Sequence, residues 1–444
     1  MVLSLADINF MKKVVLLILI YFIPVMCMAL EEVQKVNLQQ AIDITVENNI
    51  DLKASYLEEA IAKNNIKIAN RLQNPDFNAF YFLGAAGRSE PNQLGFSELI
   101  EIGKRGVRKN LAKANLELVL KNVDYRKFSI EMDVREAYVN LVAAKSVLDT
   151  MEQQQELQEE LLEIAQRHVK SGFVPEIDAI QATIALNQMI TQVNTAKANV
   201  KSALFEFNKI INSKEKIFYD SIDKVLYENN NFEELMTPLP TTKFPDFDLI
   251  AERALENRYD IKIAKQEIEV AKQNLKVIMR KRVPDLELVG GYAYQTMTQT
   301  DDRRYNSGAY VGGNIVNLPV FYNYAPEIKN AKLQLEQAEL NYESVKNRAI
   351  KDLNAAYYKL MISAANLNDY ETKILTSSEK LIDLSVQDYE TGKSDLTSLI
   401  VMKQSYKSII VGYTMALAEY YNSWTNFLRE VNSDEFDLFT GEVL

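Results

Sequence analysis

Residues 47–76, ENNIDLKASYLEEAIAKNNIKIANRLQNPD, and residues 256–285, ENRYDIKIAKQEIEVAKQNLKVIMRKRVPD, align without a gap at an offset of 209 and are identical at 12 of 30 positions. The identities include Asn48/Asn257, Asp51/Asp260, Ala62/Ala271, Asn65/Asn274, Pro75/Pro284 and Asp76/Asp285. The chain reads as an internal duplication. Further along, Ala137-Tyr138-Val139-Asn140-Leu141 matches Ala356-Tyr357-Tyr358-Lys359-Leu360 at an offset of 219, and Gly172 pairs with Gly392 at 220. The register slips by ten residues between Asp76 and Ala137, which confines the variable length to one short region, as when loose loops interrupt rigid helices. Repeats are expected over 30–211 and 246–432. Residues 212–245, with Asn229-Asn230-Asn231, Pro238, Pro240 and Pro245, read as a connector, and 433–444 as a tail.

Each repeat has the same order: helix, two strands, very long helix, tight turn, helix. The opening helices stop before Pro75 and Pro284, because proline pushes its predecessor out of the helical region. Strand pairs are expected over 77–102 and 285–321. After Pro284 the sequence alternates, with Leu286, Leu288, Tyr292 and Tyr294 on one face and Glu287, Gly291, Ala293 and Gln295 on the other. The polar loop 298–307 leads to a second strand, 310–320, holding Gly312, Gly313 and Asn314. The first pair, 77–83 and 94–102 around the turn 84–92, is less regular, since Phe80 and Phe82 make both faces apolar and Glu98 interrupts the apolar side. Strands of about ten residues with one apolar face fit a transmembrane barrel or a small soluble sheet. Four strands cannot close a membrane barrel, so the membrane reading needs several chains.

Residues 104–171 contain no proline and only Gly106 as glycine, so a continuous helix would reach roughly 100 Å at 1.5 Å per residue. Positions 116, 120, 123, 127, 130, 134, 137, 141, 144, 148 and 151 step by four and three, and all but Lys127 are apolar, which is a heptad seam. The counterpart in the second half is a helix over 325–391, with Lys346 as the matching exception. Gly172 and Gly392 stand where left-handed caps end these helices, and helices over 176–211 and 395–431 return antiparallel. Helices this long need lateral neighbours from other chains.

Composition agrees. The chain has 444 residues with 14 Gly and 10 Pro, few of the residues that break helices. One histidine, His168, and one cysteine, Cys27, disfavour zinc sites, disulfides and Ser-His-Asp chemistry, so no enzyme, cofactor or metal site is expected. His168 lies one turn before Gly172, where an imidazole commonly meets helix-terminal carbonyls. Gly103-Lys104-Arg105-Gly106 lacks the other residues of a phosphate loop. A net charge of −11 argues against nucleic acid as a partner. Lys12 and Lys13 precede an apolar run ending in Cys27-Met28-Ala29, the pattern of a signal peptide cleaved after Ala29. A retained anchor and acylation of Cys27 are the alternatives.

This tandem arrangement resembles the TolC-like outer membrane efflux proteins. The marks are Asn48-Asn49-Ile50-Asp51-Leu52 and Asn257-Arg258-Tyr259-Asp260-Ile261, Asn74-Pro75-Asp76 and Val283-Pro284-Asp285 before the strands, Leu318-Pro319-Val320-Phe321 after the last strand, and Ala331. Ile102-Gly103-Lys104-Arg105-Gly106-Val107-Arg108 resembles the segment that opens the first long helix in the heavy-metal (cobalt-zinc-cadmium) branch. The resemblance implies a mixed, mostly α fold, and a homotrimer in which four strands per chain build a twelve-stranded barrel in outer-membrane lipid above a periplasmic α-helical barrel. It implies a passive exit duct for heavy-metal cations or drugs, served by a periplasmic adaptor and an inner-membrane pump of the RND type. It places the gate at a periplasmic tip built from the two Gly turns. Family members often carry acids six and nine positions after the second Gly, where this chain has Ser398 and Val401. Asp395 is a substitute, and Asp178 with Glu176 stands at the first turn; the plain alternative for all three acids is helix N-terminal charge complementing the dipole. Tyr292, Tyr294 and Tyr310 are candidates for an aromatic membrane belt. The different reading is a soluble periplasmic coiled-coil adaptor or scaffold, which usually holds one hairpin rather than two.

Overall fold

The computed structural model describes residues 32–83, 89–172, 175–213, 217–223, 226, 246–293, 308–391, 393–394 and 396–432. β1 (Glu32–Val36) leads into α1 (Leu38–Asn48) and α2 (Ile50–Ala69), then β2 (Asp76–Leu83), β3 (Ser89–Ile100), α3 (Lys104–Lys170) and α4 (Glu176–Ile211). After β4 (Ile217–Ser221) the order repeats as α5 (Phe247–Asn257), α6 (Tyr259–Arg280), β5 (Asp285–Ala293), β6 (Gly308–Val316), α7 (Ala325–Asp369), a π-helical turn (Tyr370–Ile374), α8 (Leu375–Glu390) and α9 (Leu396–Val431).

Three expectations are corrected. The opening helix of each repeat is two helices. Asn49 breaks the first with φ −59° and ψ 119°, and its side chain accepts from the Leu52 N–H at 2.9 Å to start the next helix. Arg258 breaks the second with φ −54° and ψ 128°. It is held by two contacts to Asp260 at 2.8 and 3.0 Å, by the Glu430 carbonyl at 3.0 Å and by the Glu430 carboxylate. Burial opposes the Arg258 charge, but these acids hold its pKa above the ordinary guanidinium value. Second, the strands stop at Ile100 and Val316, short of 102 and 321, because Gly103 (φ 68°) and Asn317 (φ 59°) turn left-handed there and Pro319 cannot extend a ladder. Third, the helix expected over 325–391 carries the π turn.

The breaks are pinned from the far ends of the return helices. α4 ends at Asn212 (φ 55°), whose amide donates to the Asn48 carbonyl at 3.1 Å. α9 ends at Asn432 (φ 54°), whose side-chain oxygen accepts from the Tyr259 N–H at 3.0 Å. These two asparagines lie 220 residues apart, as do Gly172 and Gly392.

α3 packs along α2 and α6 over its first part and along α4 and α9 over its second, while α7 lies beside α6 and α9. The result is two four-helix layers end to end, α2-α3-α6-α7 and α4-α3-α9 with α7 and α8. Flanked on both sides, α3 buries more than a single seam. Val123, Val134, Ala137 and Leu141 are buried, Leu116, Leu120, Ile130, Ala144, Leu148 and Met151 are half-buried, and Lys127 is exposed beside Glu131. Toward the turn the buried stripe becomes Ser146, Thr150, Gln154 and Gln158, a step of four in place of the heptad.

The largest core sits at the waist, where the layers meet. Tyr138 packs on Phe207 at 5.8 Å, and Tyr357 on Phe427 at 6.2 Å, one pair from each repeat. The Tyr138 hydroxyl donates to Asp223 at 2.5 Å and contacts the Val36 carbonyl at 3.3 Å. Burial and the Asp223 carboxylate push the phenol pKa above its usual range. Parallel pairing of β1 with β4 closes this core, and Asn208 imitates a strand partner by exchanging two 2.8 Å hydrogen bonds with the Tyr219 backbone.

Candidate channel elements

β2-β3-β5-β6 form a four-stranded antiparallel sheet whose middle pair, β3 with β5, joins the two repeats. Register determines its faces. One row runs Phe77, Phe96, Gly290, Val311 across all four strands, the next Asn78, Gly95, Gly291, Tyr310, and the third Ala79, Leu94, Tyr292, Ala309. Because side chains alternate, rows one and three share a face with Ile100, Leu286, Leu288 and Ile315. That face is apolar apart from Glu98, which pairs with Leu288, and it is exposed: Val311 is 92% exposed, Ile315 63%, and Phe77 and Phe96, whose rings meet at 5.2 Å, 61% each. The opposite face holds Asn78, bonded to Ser97 at 3.2 Å, and Glu287, bonded to Asn314 at 3.1 Å. A sheet with one largely apolar, exposed face and a mixed second face, where Asn78, Ser97, Glu287 and Asn314 stand among Phe80, Leu99, Val289 and Tyr310, suits a barrel wall between hydrocarbon and water.

The register also sorts the belt tyrosines. Tyr292 lies on the apolar face, 43% exposed. Tyr310 pairs with Gly291 and lies on the opposite face, so it does not join Tyr292 in a belt. Its hydroxyl reaches across two strands, 2.7 Å from where a Cβ on Gly291 would stand and 2.3 Å from one on Gly95. A ring laid over two glycines covers backbone they leave bare. That pairing was hidden in the sequence because Gly95 and Gly291 come from different repeats. Tyr294 lies outside the described residues.

At the base of the sheet, Ile102-Gly103-Lys104-Arg105-Gly106-Val107-Arg108 acts as a clamp. Gly103 makes the left-handed turn into α3. Lys104 donates to Asp285 at 2.6 Å, and Asn317 donates to the same carboxylate at 3.0 Å, tying β3, β5 and β6 together. Arg105 reaches the Asn70 side chain at 3.3 Å and Arg108 pairs with Glu101.

At the far end, Gly172 has φ 73° and is exposed, as the cap of α3 requires. Glu176 opens α4 and is exposed, and Asp178 follows in its first turn. Ser398 is exposed in the first turn of α9. Gly392 and Asp395 lie outside the described residues. Lys407, nearer the waist on α9, donates to Gln153 of α3, and burial holds its amine below the usual lysine range against the pull of Asp149.

The outer membrane efflux protein family model matches residues 41–213 and 250–426, one match per repeat. No curated protein sequence matches the chain. Among solved structures, the Campylobacter jejuni CmeC outer membrane channel superposes with a TM-score of 0.69 at 19% identity, covering 89% of this chain and 85% of that one. The open state of the Neisseria gonorrhoeae MtrE outer membrane channel gives 0.70 at 16% identity, covering 90% and 89%. CusC, solved in a study of folding and transmembrane channel formation, gives 0.70 at 14% identity, covering 89% and 92%. The chain belongs to the outer membrane efflux protein family, with a TolC-like fold, as an outer-membrane channel whose helices extend into the periplasm.

Proposed function

We propose that three copies of this chain assemble into the passive exit duct of a tripartite efflux system, receiving heavy-metal cations or drugs from a periplasmic adaptor and an inner-membrane pump of the RND type. Residues 1–29 direct export, with cleavage after Ala29. The carrying observation is the open sheet: largely apolar on one face, with β2 and β6 each paired on one side only among the described residues, it fits a third of a twelve-stranded wall. The helices support the same assembly. Ile61, Ile180 and Ile184 on α2 and α4 are exposed along one lateral edge, and Leu340, Ile362 and Leu381 on α7 and α8 along the other. Different faces on opposite edges make a head-to-tail contact that closes into a ring. In this reading the duct is a passive conduit and performs no chemistry. The metal branch rests on the Ile102 to Arg108 segment, whose basic residues serve the strand-to-helix junction.

The test is purification from outer membranes followed by mass determination and planar-bilayer recording. Trimers with steady ohmic conductance are expected; soluble periplasmic monomers without conductance would sink the reading. The tip is proposed to be narrowed by Asp395, with Glu176, Asp178 and Ser398 beside it and Gly172 and Gly392 forming its turns. Asp395→Ala is expected to raise single-channel conductance or lower cation selectivity, and no change in either removes this residue from the gate.

A further inference from the structure

We infer that the junction between sheet and helices is a binding belt for anionic phospholipid headgroups in the leaflet next to the helices. The inference rests on the membrane-channel reading and names the lipid class. Its first observation is charge. The four segments that meet at the base, 67–76, 101–109, 276–285 and 317–329, contain eleven Lys and Arg against four Asp and Glu, in a chain of net charge −11. Lys104 and Arg108 are spent on Asp285 and Glu101. Arg71, Arg280, Lys281 and Arg282 are exposed.

Its second observation is position. The base ends of all four strands lie together, since Asp76 pairs with Ser97, Ile100 with Leu286 and Asp285 with Val316. The cations therefore follow directly on the apolar face carrying Ile100, Leu286 and Ile315. Among them stand exposed apolar side chains, Leu72, Met279, Val320 and Phe321, the last at 102%. The Arg282 guanidinium donates to the Asn323 carbonyl at 2.7 Å, which ties the Phe321 loop to the cationic end of α6. Cations beside apolar and aromatic groups at the rim of a hydrocarbon-facing surface are what an interface with acidic headgroups selects, and guanidinium pairs with phosphate through two parallel hydrogen bonds.

Its third observation separates lipid from a second copy of the chain. α6 and β5 are interior members of their layer and sheet, with neighbours on both sides, so the exposure of Arg280 and Lys281 is not that of a lateral edge.

The experiment is native mass spectrometry of the detergent-purified assembly after addition of phosphatidylglycerol or phosphatidylcholine. Retention of phosphatidylglycerol is expected to exceed that of phosphatidylcholine by at least about tenfold. The triple variant Arg71→Gln, Arg280→Gln, Lys281→Gln should bring the two to parity, whereas Arg71→Lys, Arg280→Lys, Lys281→Arg keeps the preference. The single substitutions and Phe321→Ser, measured in parallel in case the triple variant fails to assemble, should each lower it; no loss in any of them overturns the inference. Bilayer conductance of the wild type tests channel formation separately. A conducting wild type that retains both lipids equally overturns the lipid belt and leaves the channel standing. A triple variant with a shifted reversal potential and an intact lipid preference puts the cations on the pore, and also overturns it.

Discussion

The two repeats are most alike at the waist, where they hold one another; their lengths differ by ten residues between the opening helix and the waist and by one toward the tip. Both break their opening helix at the same place and pin the break with a left-handed asparagine, Asn212 or Asn432, at the end of the return helix. Both set a tyrosine of the long helix on a phenylalanine of the return helix. The long helices differ. α3 runs 67 residues without interruption, whereas α7 gives way after 45 to a five-residue π turn before α8 continues. The repeat register supplies the reason. Tyr138 and Tyr357 are 219 residues apart, Gly172 and Gly392 are 220, so the second half carries one extra residue between them. A π turn absorbs one added residue inside an α-helix while both flanks keep their faces. The waist therefore keeps the same partner contacts in both halves, and the length difference falls in the exposed wall of the helix.

The sheet is where the halves depend on each other most, and the largest effect is expected there. A Cβ on Gly291 would stand 2.2 Å from the Leu94 carbonyl and 2.6 Å from the Gly95 Cα, both backbone, whereas the nearest atom to one on Gly290 is 3.7 Å away. Gly291→Val should abolish heat-resistant oligomer in the outer-membrane fraction, and Gly290→Ala should leave it in place. Equal behaviour of the two would mean that β3 and β5 do not pair in this register. Next comes Lys104→Met, which leaves the Asp285 carboxylate, 4% exposed, with Asn317 as its remaining side-chain donor. A loss of about 3 kcal/mol is expected, at the low end for breaking a buried pair, measured as a lowered unfolding midpoint in detergent.

A smaller pair of effects probes the shared pins. Asn212→Ala and Asn432→Ala each force a β-carbon residue without a polar side chain into the left-handed region and lose one hydrogen bond, together about 2 kcal/mol. Asn→Gly at either site restores the backbone freedom but not the bond, and should recover roughly half of that loss. If only one of the two asparagines responds, the symmetry of the waist is geometric and not energetic.

Much of this was legible in the residues. The absence of proline over 104–171 marks α3 to within a residue of its end, and the glycine at 172 marks its cap. Alternation after Pro284 marks β5. What was not legible depends on contacts between distant segments. The break at Asn49 sits inside a pattern that looks helical throughout, and its stability comes from Asn212, far along the chain. The split of Tyr292 from Tyr310 follows from cross-strand register, which a loop of unknown geometry between β5 and β6 conceals. The drift of the α3 stripe onto Ser146, Thr150, Gln154 and Gln158 reflects neighbours on two sides, where a heptad template assumes one. Among the tip candidates, sequence spacing locates Gly172 and Glu176 at a turn and a helix start, but which groups face the axis depends on copies outside one chain.

The smallest effect is expected at the feature that divides the two long helices. Thr372 lies in the middle of the π turn, exposed, its hydroxyl bonded back to the Asn368 carbonyl at 2.6 Å. If the turn holds the one extra residue, deleting Thr372 returns the helix to regular α geometry and keeps the repeat offset at 219 from the waist tyrosines onward, while Tyr370 stays against Gly412 and Tyr413. The deletion should shift stability by less than about 1 kcal/mol, since it removes a surface residue and one exposed hydrogen bond, with conductance unchanged. Deleting Gln153 from the matching stretch of α3 is the control. There no bulge exists to absorb the change, so every later residue turns by about 100° on the helix, and buried Gln154, Gln158 and Leu161 swing out of the layer. Comparable damage from both deletions would show that the π turn is held by its own contacts with α9 and is not an inserted residue, and the difference between the long helices would then need a functional cause.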